Sequence, residues 1–89
     1  MKGRILYVDG REEFIAPKNG TDFSLEELQT IVGGHIEIVQ LGNERIMVVN
    51  EEGRLLNLPH NYTASRITSV LGIVDIVGNV LECHTSMVK

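Results

Sequence analysis

Tryptophan is absent from this chain, cysteine occurs once, and phenylalanine and tyrosine contribute two residues each. Aromatics at 4% are too few for a surface that stacks nucleic-acid bases. A lone cysteine, Cys83, cannot close an internal disulfide and has no second Cys-containing pair with which to hold zinc. No apolar run approaches the roughly 20 residues that a bilayer-spanning helix requires, and the first residues carry no signal-peptide pattern. A cytosolic protein, without membrane association, is the expectation. A run of basic residues is also missing: eight Lys and Arg are scattered among twelve Asp and Glu, for a net charge of −4. A groove that tracks phosphates would cluster them, so no nucleic acid is expected as a partner. Three isolated Glu pairs (Glu12 and Glu13, Glu26 and Glu27, Glu51 and Glu52) are in turn too sparse to imitate DNA.

What is present is aliphatic. Hydrophobic residues make up 43% of the 89, mostly Ile, Val and Leu, enough for one small core and a single domain over residues 1–89. Arg4 to Val8 and Glu12 to Ala16 flank Asp9-Gly10 and predict a hairpin. Ser24 begins a capping box with Glu27, Phe23 can staple onto Leu28, and Gly33-Gly34 closes the helix after Val32. Its inward face would be Leu25, Leu28, Ile31 and Val32. His35 to Leu41 alternates as a strand does. Arg45 to Asn50 is apolar on both faces, as a central strand is. Glu51-Glu52-Gly53, with Gly53 suited to a positive φ, would then turn the chain into a further strand, Arg54 to Leu58, stopped by Pro59. A second helix follows from Tyr62, with Ala64, Ile67, Val70 and Leu71 inward, ending at Gly72. Ile73 to Val77 and Val80 to His84 form a last strand region broken at Gly78-Asn79. The fold expected is α+β: a small, mainly antiparallel sheet of about five to seven short strands, with two short helices packed on it.

No catalytic set, cofactor motif or metal pattern accompanies this frame. His35, His60 and His84 are spaced unlike any compact zinc site. Ser24 is committed to capping, and Ser65 and Ser69 fall in an ordinary helical pattern rather than on a nucleophile elbow. Adjacent Glu51 and Glu52 read as a solvated turn tip. The segment Asn57 to Arg66, NLPHNYTASR, is different, because a proline stop precedes a helix start that Asn61 can cap. Amides in that first turn, with His60, Tyr62, Thr63 and Arg66 around them, would favour an anion or a polar ligand edge. The alternative is that both asparagines serve only the loop backbone. The residues expected to bind a ligand are Asn50, Arg54, Asn57, Asn61, Thr63 and Arg66; none is expected to be catalytic, and neither a metal nor a cofactor is expected.

The blocks VGGHIEIV (32–39), RIMVVNEEGRLLNLPHN (45–61), Ala64 and IVDIVGNVLEC (73–83) closely resemble an uncharacterised family of small domains encoded by phages, plasmids and other bacterial mobile elements. The resemblance spans nearly the whole chain and implies that Asn50, Glu51, Gly53, Pro59, Asn61, Ala64 and Gly78 are its pattern positions. His60 and Tyr62 fall between them. It carries no reaction. The function expected from residues and resemblance together is a non-catalytic accessory protein that sequesters a small nucleotide-type ligand in host counter-defence. The alternative is a module that docks on a host protein through a sheet edge or the acidic hairpin. A nucleotide hydrolase stands third. A homo-oligomer is expected from the strand edges.

Overall fold

Arg45–Asn50, the strand apolar on both faces, lies inside the sheet, with a neighbour on each side and five of its six residues buried. The computed structural model describes residues 1–88, and Lys89, the last residue of the expected domain, lies outside the described residues. The strands are β1 (Gly3–Leu6), β2 (Glu12–Ile15), β3 (Ile36–Gly42), β4 (Arg45–Asn50) and β5 (Val80–His84). They form one sheet in the order β2-β1-β5-β4-β3, with every pairing antiparallel. The helices are α1 (Leu25–Val32) and α2 (Tyr62–Thr68), the latter extended by a 3-10 turn over Ser69–Leu71. The result is a small α+β domain with a five-stranded antiparallel sheet.

Alternation along the strands gives the sheet two apolar faces. Ile5, Ile46, Val48, Leu81 and Cys83 pack with Leu28 and Val32 of α1 and with Phe23 and Met87. Leu6, Met47, Val49 and Val80 pack with Ala64 of α2 and with Ile76. Both devices at the start of α1 are present. Ser24 Oγ accepts from the Glu27 amide at 3.1 Å and Glu27 Oε1 accepts from the Ser24 amide at 2.9 Å. This reciprocal cap is worth about 1 kcal/mol to a helix of eight residues. Gly33, at φ 81°, closes the other end.

The structure corrects four expectations. Arg54 to Leu58 is a run of turns rather than a strand. The place beside β4 that it would occupy is taken by β5, so that segment folds on itself, with the Leu56 amide on the Glu52 carbonyl and the Leu58 amide on the Gly53 carbonyl. Gly53 does not adopt a positive φ; a Cβ there would lie 2.7 Å from Val77 Cγ2, and close packing is what excludes a side chain. Ile73 to Val77 joins no strand beyond one bridge, Val77 to His60, because its backbone is held by α2: the Ile76 amide donates to Ser65 Oγ at 2.9 Å and Thr68 Oγ1 donates to the Ile73 carbonyl at 2.6 Å. The inward faces of both helices also differ. Val70 is 86% exposed and Leu71 lies outside, since the helix tightens at Ser69 and gives the inner positions to Ser65 and Thr68; Leu25, in the first turn of α1, likewise faces solvent.

Candidate functional site

Among the described residues, one cleft opens beside the start of α1 and another at the end of β4. The larger, about 460 Å³, lies between the end of β2 and the start of α1, beside Ile15, Ser24, Glu27, Thr30 and Ile31. Three of its polar side chains are engaged within the fold: Ser24 and Glu27 bond each other, and Thr30 Oγ1 donates to the Glu26 carbonyl. The smaller, about 330 Å³, lies where β4 leaves the sheet and includes Asn50 and Arg54 among its lining. Glu37 and Val39 of β3, Glu51 and Glu52 of the turn, Leu55, and Ile73 and Asp75 of the segment after α2 complete its walls.

The chain reaches this geometry through Asn50. Its side chain is buried, Nδ2 donates to the Val32 carbonyl at the end of α1, and Oδ1 accepts the Glu52 amide at 2.8 Å. That side chain therefore ties α1 to β4 and starts the turn carrying Glu51 and Glu52 to the surface. Arg54 then extends across the gap to Asp75, with Nη2 3.2 Å from Oδ2 and 3.4 Å from the Asp75 carbonyl. On the other carboxylate oxygen, His60 Nδ1 lies 3.1 Å away, and the His60 ring meets Tyr62 edge-on at 4.4 Å. Asp75 is thus held between an arginine and a histidine at the cleft wall. Among the described residues, no hydroxyl or thiol is bonded to His60 Nε2, so the Asp75–His60 pair is not extended into a nucleophile relay.

The other expected site residues lie elsewhere. Asn61 is completely buried: Oδ1 accepts the Ala64 amide at 3.0 Å, and Nδ2 donates to the carbonyls of Leu6 at 3.0 Å and Gly78 at 2.9 Å. Both amide protons are used, so this group locks α2 to β1 and to the Gly78 turn and has no donor left for a ligand. Asn57 is exposed in a left-handed conformation, φ 54°, where its amide closes a turn on the Arg54 carbonyl. Thr63 and Arg66 sit on α2, away from the cleft lining. That helix has only seven residues, and Asn61 takes up the Ala64 amide that the sequence suggested for an anion.

Sequence reasoning missed Glu37, Leu55, Ile73 and Asp75. Asp75 did carry a signal, as the sole charge within the run Val70 to Leu81; the others are ordinary strand and turn residues until the fold brings them together. Glu37, Glu51, Glu52 and Asp75 put four acidic residues in the lining of one cleft, together with Arg54 and the 82% exposed Leu55.

A second set of charges sits further along the same sheet face. Glu82, on β5, is buried between Arg45, 2.6 Å away, and Arg4, 3.5 Å away. Each carboxylate oxygen has its own guanidinium, which makes the cluster a cross-strand tie rather than an open site. Cys83 points to the opposite face, fully buried, and burial pushes its thiol up to about 11.

Fold and cleft define a class: a small α+β domain with a helix on each face of an antiparallel sheet and an acid-rimmed surface cleft at the end of its central strand. Residues 1–87 match the model of a family described as "Domain of unknown function (DUF3846)", and the chain belongs to that family. Comparison with curated proteins and with solved structures found no match.

Proposed function

We propose that this protein is a non-catalytic binding module whose cleft at the end of β4 takes a basic, partly apolar peptide segment of a host protein. The observation that carries this reading is the composition of the cleft lining, which four acidic residues, Glu37, Glu51, Glu52 and Asp75, share with the exposed Leu55 and Ile73. Arg54 is already paired with Asp75, so an incoming phosphate would meet a net negative rim. A Lys or Arg beside a leucine-sized side chain would find both complements. Of the two binding roles open to this chain, docking on a protein fits that rim better than sequestering a nucleotide, and the turn bearing Glu51 and Glu52 is its acidic element. On the resemblance to mobile-element domains, we read such docking as host counter-defence in the bacterial cytoplasm.

The test is a titration of isotope-labelled protein, followed by NMR, with a short peptide of alternating Lys and Leu and separately with mono-, di- and cyclic nucleotides. The peptide should move the amides of Glu51, Leu55, Ile73 and Asp75. Its affinity should fall at least about tenfold when added salt screens the rim, and similarly in Glu51→Lys with Glu52→Lys. Nucleotide shifts at the same amides with a silent peptide would reverse the reading in favour of sequestration.

A further inference from the structure

Two strands end the sheet, and they are unlike each other. β2 has four residues, two of them the exposed Glu12 and Glu13, and is followed by Pro17. Charge, brevity and a nearby proline are how natural sheets blunt an edge. β3 has seven residues, no Lys, no Pro and one charge, Glu37. Its bulge falls beyond Gln40, which leaves Ile36 to Gln40 regular.

Register fixes what this edge offers. The Glu51 amide donates to the His35 carbonyl at 2.8 Å, and Glu37 and Val39 stand opposite Val49 and Met47. In an antiparallel ladder hydrogen-bonded pairs alternate, so the odd residues His35, Glu37 and Val39 spend their backbone groups on β4. The amides and carbonyls of Ile36, Ile38 and Gln40 therefore point outward. No turn, loop or cap among the described residues bonds to them. Ile38, in the middle, is 37% exposed.

We infer that β3 pairs antiparallel with β3 of a second copy of this chain, about a two-fold axis at Ile38, joining two sheets into one of ten strands. In that register Ile38 faces its own counterpart, Ile36 faces Gln40, and about six backbone hydrogen bonds form. Glu37 lies opposite Val39, so the only charge on the strand meets an apolar side chain and never its own image. A second copy is the occupant because the strand is self-complementary in hydrogen bonding about that axis and sets no glutamate directly opposite another. Glu37 and Val39 also line the cleft, so pairing sets the two clefts side by side across the axis. The pairing does not depend on what the cleft binds.

Proline at 38 removes an outward N–H and leaves the bonds to β4 intact, because those belong to the odd positions. Sedimentation of the wild-type protein should give twice the 9.9 kDa chain mass. Ile38→Pro and Ile38→Lys should each give the single-chain mass with an unchanged circular dichroism spectrum, and Phe14→Lys on the β2 edge should leave the dimer intact. Amide exchange at Ile36, Ile38 and Gln40 should be slow in the wild type and fast in Ile38→Lys. A wild-type monomer at the concentrations NMR requires would overturn the inference. So would a dimer that survives both Ile38 variants, or fast exchange of those three amides within a dimer.

Discussion

Asn61→Ala isolates the contribution of one buried amide. The substitution removes a partner from three backbone groups together: the Ala64 amide, bound at 3.0 Å, and the carbonyls of Gly78, at 2.9 Å, and of Leu6, at 3.0 Å, which keeps its place in the ladder opposite Val80. Leu6 and Ala64 are completely buried and Gly78 nearly so; bulk water cannot replace the lost partner without entering the core. Loss of an N-cap alone costs about 1 kcal/mol, and each unsatisfied buried group about 1–3 kcal/mol. The vacated space has polar walls and approaches the size of one water, which would recover part of that cost. The expected loss is therefore about 2–4 kcal/mol, a large fraction of the total stability of an ordinary small domain. Urea denaturation followed by circular dichroism reads it as a lower midpoint at constant slope. Asn61→Asp keeps the acceptor for Ala64 but turns oxygen toward two carbonyls, so it should be no better than alanine at neutral pH. A loss below about 1 kcal/mol, with peptide or nucleotide binding abolished, would refute this assignment and return Asn61 to the ligand.

Other substitutions probe packing and titration. Gly53→Ala puts a methyl group 2.7 Å from Val77 Cγ2 and Gly78→Ala puts one 2.8 Å from Leu58 Cδ1, but only Gly78 also has a positive φ, at 79°. Gly78→Ala should therefore cost more, about 2–4 kcal/mol against about 1–2 kcal/mol, by thermal or urea unfolding. Cys83, fully buried with its thiol pushed up to about 11, should resist alkylation at pH 8 until the protein is unfolded. Because that pKa is raised above its unfolded value, the linked stability is complete below about 9 and is lost as pH rises toward 11. Cys83→Ala should flatten that alkaline limb.

Legibility from sequence followed the range of the interaction. The capping box at Ser24 and Glu27, the closing Gly33 and the hairpin across Asp9-Gly10 are contacts between near neighbours, and residue type fixes them wherever the segment lies. The two-faced apolar content of β4 announced a central strand for the same reason. Arg54 to Leu58 failed because its composition is compatible with pairing, while its exclusion depends on β5, Val80–His84, arriving from well beyond it in the chain. Asn61 was singled out by its place after Pro59, and its cap to Ala64 could be read directly; its two other bonds, to Leu6 and Gly78, belong to the tertiary fold. Those bonds are what turned an apparent ligand group into an internal brace. Asn50 repeats the pattern on the other side of the sheet through Val32.

Residue order was enough for the elements whose stabilising contacts lie within a few residues: a capped first helix, a tight hairpin and an Asn61-started second helix. Only the tertiary structure decided which polar groups remained available. Burial spends the amides of Asn50 and Asn61 on distant backbone, whereas chain segments far apart in sequence bring Glu37, Glu51, Glu52 and Asp75 around one cleft. Hydrogen-bond partners and charge neighbours at long range are properties of the whole fold, and they moved the candidate site from the capped turn to the acidic end of the central strand.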